Sequence, residues 1–262
     1  MITAILQRKG IKIAESTVSH ILRGRKKKIK LKKSKVKAHN KRYELPIPGL
    51  RMQLDVKYVP EKINGNRIYN YVIIDECSRW RFAKAYPEIN HSMTIDFLNE
   101  LMKLCPFPIN CIQTDNGFEF TFRLHPSTNK PKHPMDEWCE QRGIRHRCIP
   151  PGEKELNGKV ERSHRIDEQY FYWRAPTKSI EAFNQAQDRW LYTYNENRMH
   201  GGLGFITPME KLAERWLELE KISYLDKDLE KIKLSFLKVK PSKEKTKKKW
   251  QEQVDALMKL AS

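Results

Sequence analysis

The 262-residue sequence predicts an α/β fold in which a mixed five-stranded sheet is flanked by helices. Five segments of strand length lie between residues 52 and 149, and helix-spaced segments follow the third and fourth of them. Charge separates this region from both ends, because residues 1–45 carry 15 Lys and Arg against 2 acids, whereas residues 46–212 carry 23 against 21. We therefore predict helices and a basic arm at 1–45, the α/β core at 46–212, and a C-terminal helix with a Lys-rich tail at 213–262.

Composition excludes several classes of protein. The five cysteines are odd in number and scattered, and no apolar stretch reaches the roughly 18 residues of a membrane span, which argues against a disulfide scaffold and a membrane protein. The N-terminus lacks the charged-then-apolar order and the small-residue cleavage site of a signal peptide, so a cytoplasmic, reducing location is expected. A net charge of +19 concentrated at the ends predicts a polyanionic partner, most simply nucleic acid; a merely solubilising basic tail is the alternative.

The N-terminal segment predicts a short amphipathic helix followed by an arm. Val18, Ile21 and Leu22 have helical spacing, with Ser16 as a possible N-cap and Gly24 as a stop. Together with the preceding apolar residues, this helix could complete a helix-turn-helix, although a plain helical hairpin would look the same. The arm, residues 25–35, is too charged to pack in a core. Its candidate DNA-binding residues are Arg25, Lys26, Lys27 and Lys28.

The core segments can be placed individually. Alternation and apolar runs predict strands at 52–58, 68–75, 79–86, 109–114 and 145–149, of which the first three form a meander. Helical patterns cover residues 92–104, 136–142, 157 to about 173, and 179–195.

Three acids occupy positions from which they could form a cation-binding catalytic site. Asp55 lies in the middle of the first strand, Asp115 follows the fourth, and Glu161 lies one turn into a helix that Asn157 can cap. Converging carboxylates repel one another unless a cation neutralises them. Oxygen ligands suit Mg²⁺ or Mn²⁺, and two such ions about 4 Å apart support attack at a phosphodiester. For any single acid, a solvated surface position is the alternative.

Four ordered sequence blocks then carry a resemblance. They are LDVKY (54–58), QTDNGFEF (113–120), PGEKELNGKVER (151–162) and YNENRMHGGLGFITP (194–208). Together they resemble the bacterial insertion-sequence transposases that share the retroviral integrase catalytic core, the DDE family. The resemblance implies a ribonuclease-H-like fold, two catalytic aspartates, one catalytic glutamate and two bound divalent ions. Carried over block by block, these acids are Asp55, Asp115 and Glu161, which would serve both as metal ligands and as catalytic residues.

Other acids compete for these roles. The family has a non-catalytic acid at the hairpin position that matches Asp75. Glu119 follows Asp115 by four residues and is expected to be a structural residue of the loop. Glu153 and Glu155 fit the family's spacing better than Glu161, since 45 residues separate Asp115 from Glu161. We assign the excess to a loop at residues 123–135, because the NGKVER block identifies Glu161 by its neighbours.

The helix that carries Glu161 also predicts DNA contacts. Asn157, Glu161, Arg165 and Glu168 share one helix face, which would place Arg165 and Asn157 beside a DNA strand, and Lys159 is a further DNA-binding candidate. A salt bridge from Arg165 to Glu161 or Glu168 is the alternative.

A zinc site and covalent catalysis lack support. Residues 1–45 contain two histidines and no cysteine. Cys139, His146 and Cys148 lack paired ligand spacing, so core or sheet positions explain them better. No nucleophile elbow occurs.

The resulting hypothesis is a transposase that cuts and joins double-stranded DNA at the ends of an insertion element and at a target, using Mg²⁺ or Mn²⁺. It would form a homo-oligomer on DNA and associate with the bacterial nucleoid, without membrane contact. The alternatives are a catalytically inactive DNA-binding remnant and a ribonuclease-H-like nuclease.

Overall fold

The computed structural model describes residues 2–23, 44–124 and 131–221. The basic arm at 25–35, with Arg25, Lys26, Lys27 and Lys28, lies outside the described residues, as do the predicted stop at Gly24 and the Lys-rich tail.

A mixed five-stranded sheet forms the centre of the fold, as predicted. Its strands are β1 (Met52–Tyr58), β2 (Tyr69–Asp75), β3 (Arg81–Tyr86), β4 (Cys111–Thr114) and β5 (Arg145–Cys148), in the order β3-β2-β1-β4-β5. The first three strands are antiparallel, which confirms the predicted meander, and β4 and β5 run parallel to β1. The third strand starts two residues later than predicted, because Arg79 has a positive φ in the preceding turn.

Seven α-helices are described: α1 (Ile2–Arg8), α2 (Glu15–Arg23), α3 (His91–Leu104), α4 (Pro134–Glu140), α5 (Gly158–Tyr170), α6 (Ile180–Tyr192) and α7 (Pro208–Lys221). Side chains cap the starts of α3 and α6, since Asn90 Oδ1 accepts from the Met93 N–H and Ser179 Oγ accepts from the Ala182 N–H.

Several predicted bounds were wrong. The fourth strand begins at Cys111 rather than at 109, and α4 begins at Pro134, a residue suited to the first helical turn, rather than at 136. The predicted helix at 179–195 ends at Tyr192, where a π-helical turn, Thr193–Asn197, follows. The helix predicted from residue 157 to about 173 is preceded by a 3₁₀ turn and ends at Tyr170.

Helices cover both faces of the sheet. The main core joins Leu54 of β1 to Phe97 of α3 and Trp138 of α4, and it also includes Val160 of α5. Burying each large apolar side chain is worth about 1.5–3 kcal/mol. The alternating polar side chains of β1 lie under α5, and Gln53 among them is only 1% exposed.

The two N-terminal helices were predicted only in part. The turn at Gly10, with φ of 79°, separates α1 from α2, and Val18 is buried. The predicted N-cap was wrong, since Ser16 lies inside α2. Ile21 and Leu22 are exposed instead of packed. Arg8 NH1 of α1 forms a salt bridge with Glu210 Oε1 of α7 at 3.0 Å.

The last described helix runs through the predicted boundary between residues 212 and 213. Leu212 and Trp216, one on each side of that boundary, both pack against the main core. The start of the predicted C-terminal region is thus continuous with the core in this structure.

Candidate active site

Asp55 lies on β1, and Asp115 comes directly after β4, the neighbouring parallel strand. The register of β1 and β4 pairs Met52 with Ile112 and Gln53 with Gln113. Continued by two residues, this register brings Asp55 beside Asp115, which directly follows β4. The Gly117 N–H donates to Asp115 Oδ1 at 3.0 Å, which fixes the carboxylate at the start of the turn.

A histidine that the sequence interpretation missed contacts the first aspartate. His164 of α5 places its Nε2 at 2.9 Å from Asp55 Oδ2, and the Asp55 side chain remains 24% exposed. The other ring nitrogen, His164 Nδ1, is buried and has no hydrogen-bond partner among the described residues. The sequence offered one indication of this histidine, because His164 lies three residues after Glu161, on an adjoining face of the same helix.

The site has a concentrated negative charge. Burial raises the pKa of Glu119, and the negative charges of Asp115 and Asp55 raise it further. Glu119 therefore lies close enough to interact electrostatically with both aspartates. The sequence predicted only a structural role in the loop for this residue. The carboxylate oxygens of Asp55, Asp115 and Glu119 are of the type that suits a hard divalent cation.

The third acid does not join the pair in this structure. Glu161 is exposed in the first turn of α5, one residue beyond Val160. Within the described parts of the chain, no three His, Cys, Asp or Glu side chains converge closely enough to hold a metal ion. Its competitor Glu155 is also exposed, in the 3₁₀ turn Lys154–Asn157.

The predicted DNA-binding residues of α5 lie in different surroundings. Asn157 is 5% exposed, and its side chain makes no capping hydrogen bond; Oδ1 instead accepts from Gln113 Nε2 at 3.1 Å. Lys159 Nζ donates to the Glu76 backbone oxygen at 3.2 Å and to Oε2 at 3.3 Å. Both side chains are thus engaged inside the protein.

Arg165, in contrast, is exposed to solvent. Among the described residues it forms no salt bridge with Glu161 or Glu168, and Lys57 of β1 pairs with Glu168 instead. The alternative salt bridge expected for Arg165 is therefore absent from this part of the chain.

Asp75, the acid excluded from the catalytic set, stabilises the fold through its hydrogen bonds. It has no exposed surface, and its two side-chain oxygens accept from the backbone N–H groups of Gly49 and Ser78 at 2.8 and 2.7 Å. Burial raises the pKa of Asp75. It therefore holds together the turn after β2.

His146 and Cys148 of β5 form a separate cluster with Asp136 of α4. His146 Nδ1 lies 2.5 Å from Asp136 Oδ1, and Nε2 lies 2.9 Å from Thr114 Oγ1. Although burial opposes its charge, hydrogen bonds to Asp136 and Cys148 raise the pKa of His146 to about 9. The partners lie on opposite sides of the ring, so the cluster does not form a ligand set, in keeping with the expected sheet positions.

Two curated proteins are similar in sequence. The putative integrase ORF3 of Spiroplasma virus SpV1-C74 is 29% identical over 193 residues, which cover 71% of this chain and 53% of that protein. The uncharacterized 31.7 kDa protein of insertion element IS407 from Burkholderia multivorans is 21% identical over 225 residues, covering 80% and 73%. The chain thus spans about half the length of the viral relative.

A solved structure shares the fold. One chain of the simian T-cell lymphotropic virus intasome, determined in complex with the PP2A regulatory subunit B56 gamma, superposes with a TM-score of 0.50 at 20% identity. The match covers 65% of this chain and 56% of that chain. It supports a ribonuclease-H-like α/β architecture for the sheet and its flanking helices.

Two family models, both described as "Integrase core domain", match residues 46–154 and 142–208. Together they cover more than half of the chain, including all five strands, both aspartates and α5. None of the helices in the described ranges is long and apolar enough to cross a membrane. The two matches and the mixed five-stranded sheet show that the chain belongs to the integrase core domain family.

Proposed function

We propose that this protein is a DNA transposase or integrase that cleaves and joins strands at the ends of an insertion element. The observation that carries the proposal is the parallel register of β1 and β4, which pairs Gln53 with Gln113, two residues before Asp55 and Asp115, within an integrase core domain. DNA is the substrate that the basic N-terminal region favours, since residues 1–45 have a large positive excess.

Asp55, Asp115 and Glu161 would hold Mg²⁺ or Mn²⁺, as two ions. Glu161 would reach the site by a change of rotamer from the exposed first turn of α5. When bound, the cations would activate a water or a 3′-hydroxyl and stabilise the leaving oxygen of the phosphodiester. This chemistry needs no covalent link between the protein and DNA.

The remaining residues would orient the substrate and the acids. His164 Nε2 lies 2.9 Å from one oxygen of Asp55 and would help to orient that carboxylate. Arg165, exposed one turn beyond Glu161, would bind a DNA phosphate, and its guanidinium suits that geometry. Asn157 and Lys159 would contact DNA only after their internal hydrogen bonds opened. We further propose that the protein forms a homo-oligomer on DNA, with Arg25, Lys26, Lys27 and Lys28 on the phosphate backbone.

The test is a strand-transfer assay with the full chain. The substrate is a labelled duplex that ends in the DNA sequences flanking the gene, and Mg²⁺ is titrated. We expect 3′-end cleavage followed by joining to a second duplex. Cleavage without joining would indicate a nuclease on the same core, and binding without cleavage would indicate an inactive remnant; either result overturns the proposal.

A further inference from the structure

The helix that carries the third acid is capped from outside its own chain segment. A helix usually satisfies its first N–H groups with the side chain of its N-cap residue, but the Asn157 side chain makes no such bond. Gln53 of β1 does so instead, because its Oε1 accepts from the N–H groups of Lys159 and Val160, both at 3.0 Å. The cap thus belongs to the sheet.

A second glutamine holds the residues just before the helix. Gln113 Nε2 of β4 donates to the Leu156 carbonyl oxygen at 3.0 Å and to Asn157 Oδ1 at 3.1 Å. Gln53 Nε2 donates to the same Leu156 oxygen at 2.8 Å and to Glu76 Oε1 at 2.7 Å. Every partner of the two NH₂ groups is an acceptor and every partner of Gln53 Oε1 is a donor, so the amide orientations follow from the contacts.

These two glutamines occupy matching positions. Gln53 and Gln113 face each other in the parallel register, and each precedes an aspartate of the site by two residues. Side chains two apart on a strand point to the same face, about 6.6 Å apart along the strand. Both glutamines are 1% exposed, so their hydrogen bonds are shielded from water.

Glu161 lies between two attachments of α5 to β1. Gln53 holds the amide of Val160, the residue before Glu161, and Asp55 contacts His164, three residues after it. The first turn of α5 is therefore fixed along β1, while the Glu161 side chain remains exposed.

We propose that Gln53 and Gln113 are positioning residues that clamp the start of α5 to the two aspartate-bearing strands and so fix where Glu161 can meet Asp55 and Asp115. The proposal rests on the proposed function for the role of the three acids. The clamp sets the backbone of Glu161, and the rotation of its side chain completes the cation site. Loss of the clamp weakens cation binding without removing an acidic ligand.

The test uses volume-matched variants in the full chain. Gln53→Met and Gln113→Met remove the hydrogen bonds, and Gln187→Met is the matched control. Gln187 is also 1% exposed and donates to Asn70 Oδ1 on β2 at 2.8 Å, away from α5. Gln53→Asn keeps both the amide acceptor and the amide donor without adding a charge beside Glu76, and it serves as the conservative variant.

Two readouts decide the outcome. Amide hydrogen exchange reports the clamp itself: in Gln53→Met, the N–H groups of Lys159 and Val160 should exchange at least about tenfold faster, and Gln187→Met should not change them. Mn²⁺ titration followed by electron paramagnetic resonance reports cation binding. We expect the half-saturating Mn²⁺ concentration to rise about tenfold in both clamp variants, to change less than about twofold in the control, and to rise less in Gln53→Asn than in Gln53→Met.

The two proposals fail in different ways. Faster exchange with unchanged Mn²⁺ binding would show that the glutamines only stabilise the helix, which overturns the positioning role. Unchanged exchange would overturn the clamp. An absence of strand transfer by the unmodified protein would overturn the proposed function, whereas exchange and Mn²⁺ binding would still decide the clamp.

Discussion

At its start, α5 carries Glu161 exposed to solvent, whereas about two turns later its Asp167 is completely buried and paired with Arg81 of β3. Arg81 NH2 donates to both oxygens of Asp167 at 2.8 and 2.7 Å, and Trp190 Nε1 donates to Oδ1 at 2.7 Å. The ring of Tyr194 lies 4.4 Å from the same guanidinium.

The two ends of the helix therefore separate two uses of a carboxylate. Asp167 has protein donors on both oxygens, so it holds α5 to the sheet and to α6. Among the described residues, Glu161 forms no salt bridge, and Asp55 is contacted by a single imidazole. An acid whose charge the protein leaves uncompensated can bind a cation, whereas a saturated one stabilises the fold.

The largest expected effect follows from removing the charge of the site. Asp55→Asn, Asp115→Asn and Glu161→Gln should each reduce strand transfer more than about a thousandfold with DNA affinity nearly unchanged, because each removes a proposed cation ligand. The assay is joining of a labelled duplex end in Mg²⁺. Glu155→Gln is the control and should be mild; an active Glu161→Gln or an inactive Glu155→Gln would show that the wrong third acid was chosen.

A substitution at the opposite end of the helix should lower the stability of the protein. Arg81→Met leaves Asp167 buried without its cation and should lower the free energy of unfolding by about 3–5 kcal/mol in urea titrations. Lys57→Met removes the exposed pair with Glu168 and should cost less than about 1 kcal/mol. Equal losses in the two variants would contradict the distinction between saturated and exposed acids.

The His146–Asp136 pair should make stability depend on pH. The pKa of His146 rises from its ordinary 6.5 to about 9 in the folded state. The protonated imidazole therefore contributes fully below pH 6.5, and its contribution, about 3 kcal/mol at most, is lost as the pH rises through about 9.

Urea unfolding at pH 6, 7.5 and 9.5 measures this loss as the difference between the unmodified protein and His146→Asn. Cys148→Ser should keep most of the decline, because the hydrogen bond to Asp136 raises the pKa of His146 more than the one to Cys148 does. A decline of the same size in His146→Asn would assign the pH dependence to other groups.

The smallest effect concerns DNA. Arg165→Gln should weaken duplex binding by about three- to tenfold and reduce the slope of log affinity against log salt by about one, since one phosphate contact is lost. Arg189→Gln, on the exposed side of α6, is the control. Fluorescence anisotropy at several salt concentrations measures both, and matching slopes for the two variants would remove Arg165 from the proposed interface.

Much of the fold could be predicted from the sequence, because local patterns determine it. Alternation in 52–58 and the apolar run in β2 predicted the central strands to within a residue. Asn90 and Ser179 capped their helices as their types suggest. These signals depend on neighbours a few residues away.

The site needed contacts between distant residues. Asn157 looked like an N-cap, yet Gln53, more than 100 residues earlier, satisfies the helix. His164 gave no pattern of its own, because its contact with Asp55 depends on how α5 lies over β1. Periodicity could not predict either contact, because the sequence does not state which polar face another element will cover.

The central claim is that Asp55, Asp115 and Glu161 share divalent cations. Anomalous diffraction from crystals grown with Mn²⁺ tests it most directly. We expect anomalous peaks within about 2.3 Å of oxygens from Asp55 and Asp115, with the Glu161 carboxylate rotated in from its exposed position to complete the coordination. Occupied Mn²⁺ sites elsewhere, such as beside Asp136 and His146, with none between the two aspartates, would contradict the claim.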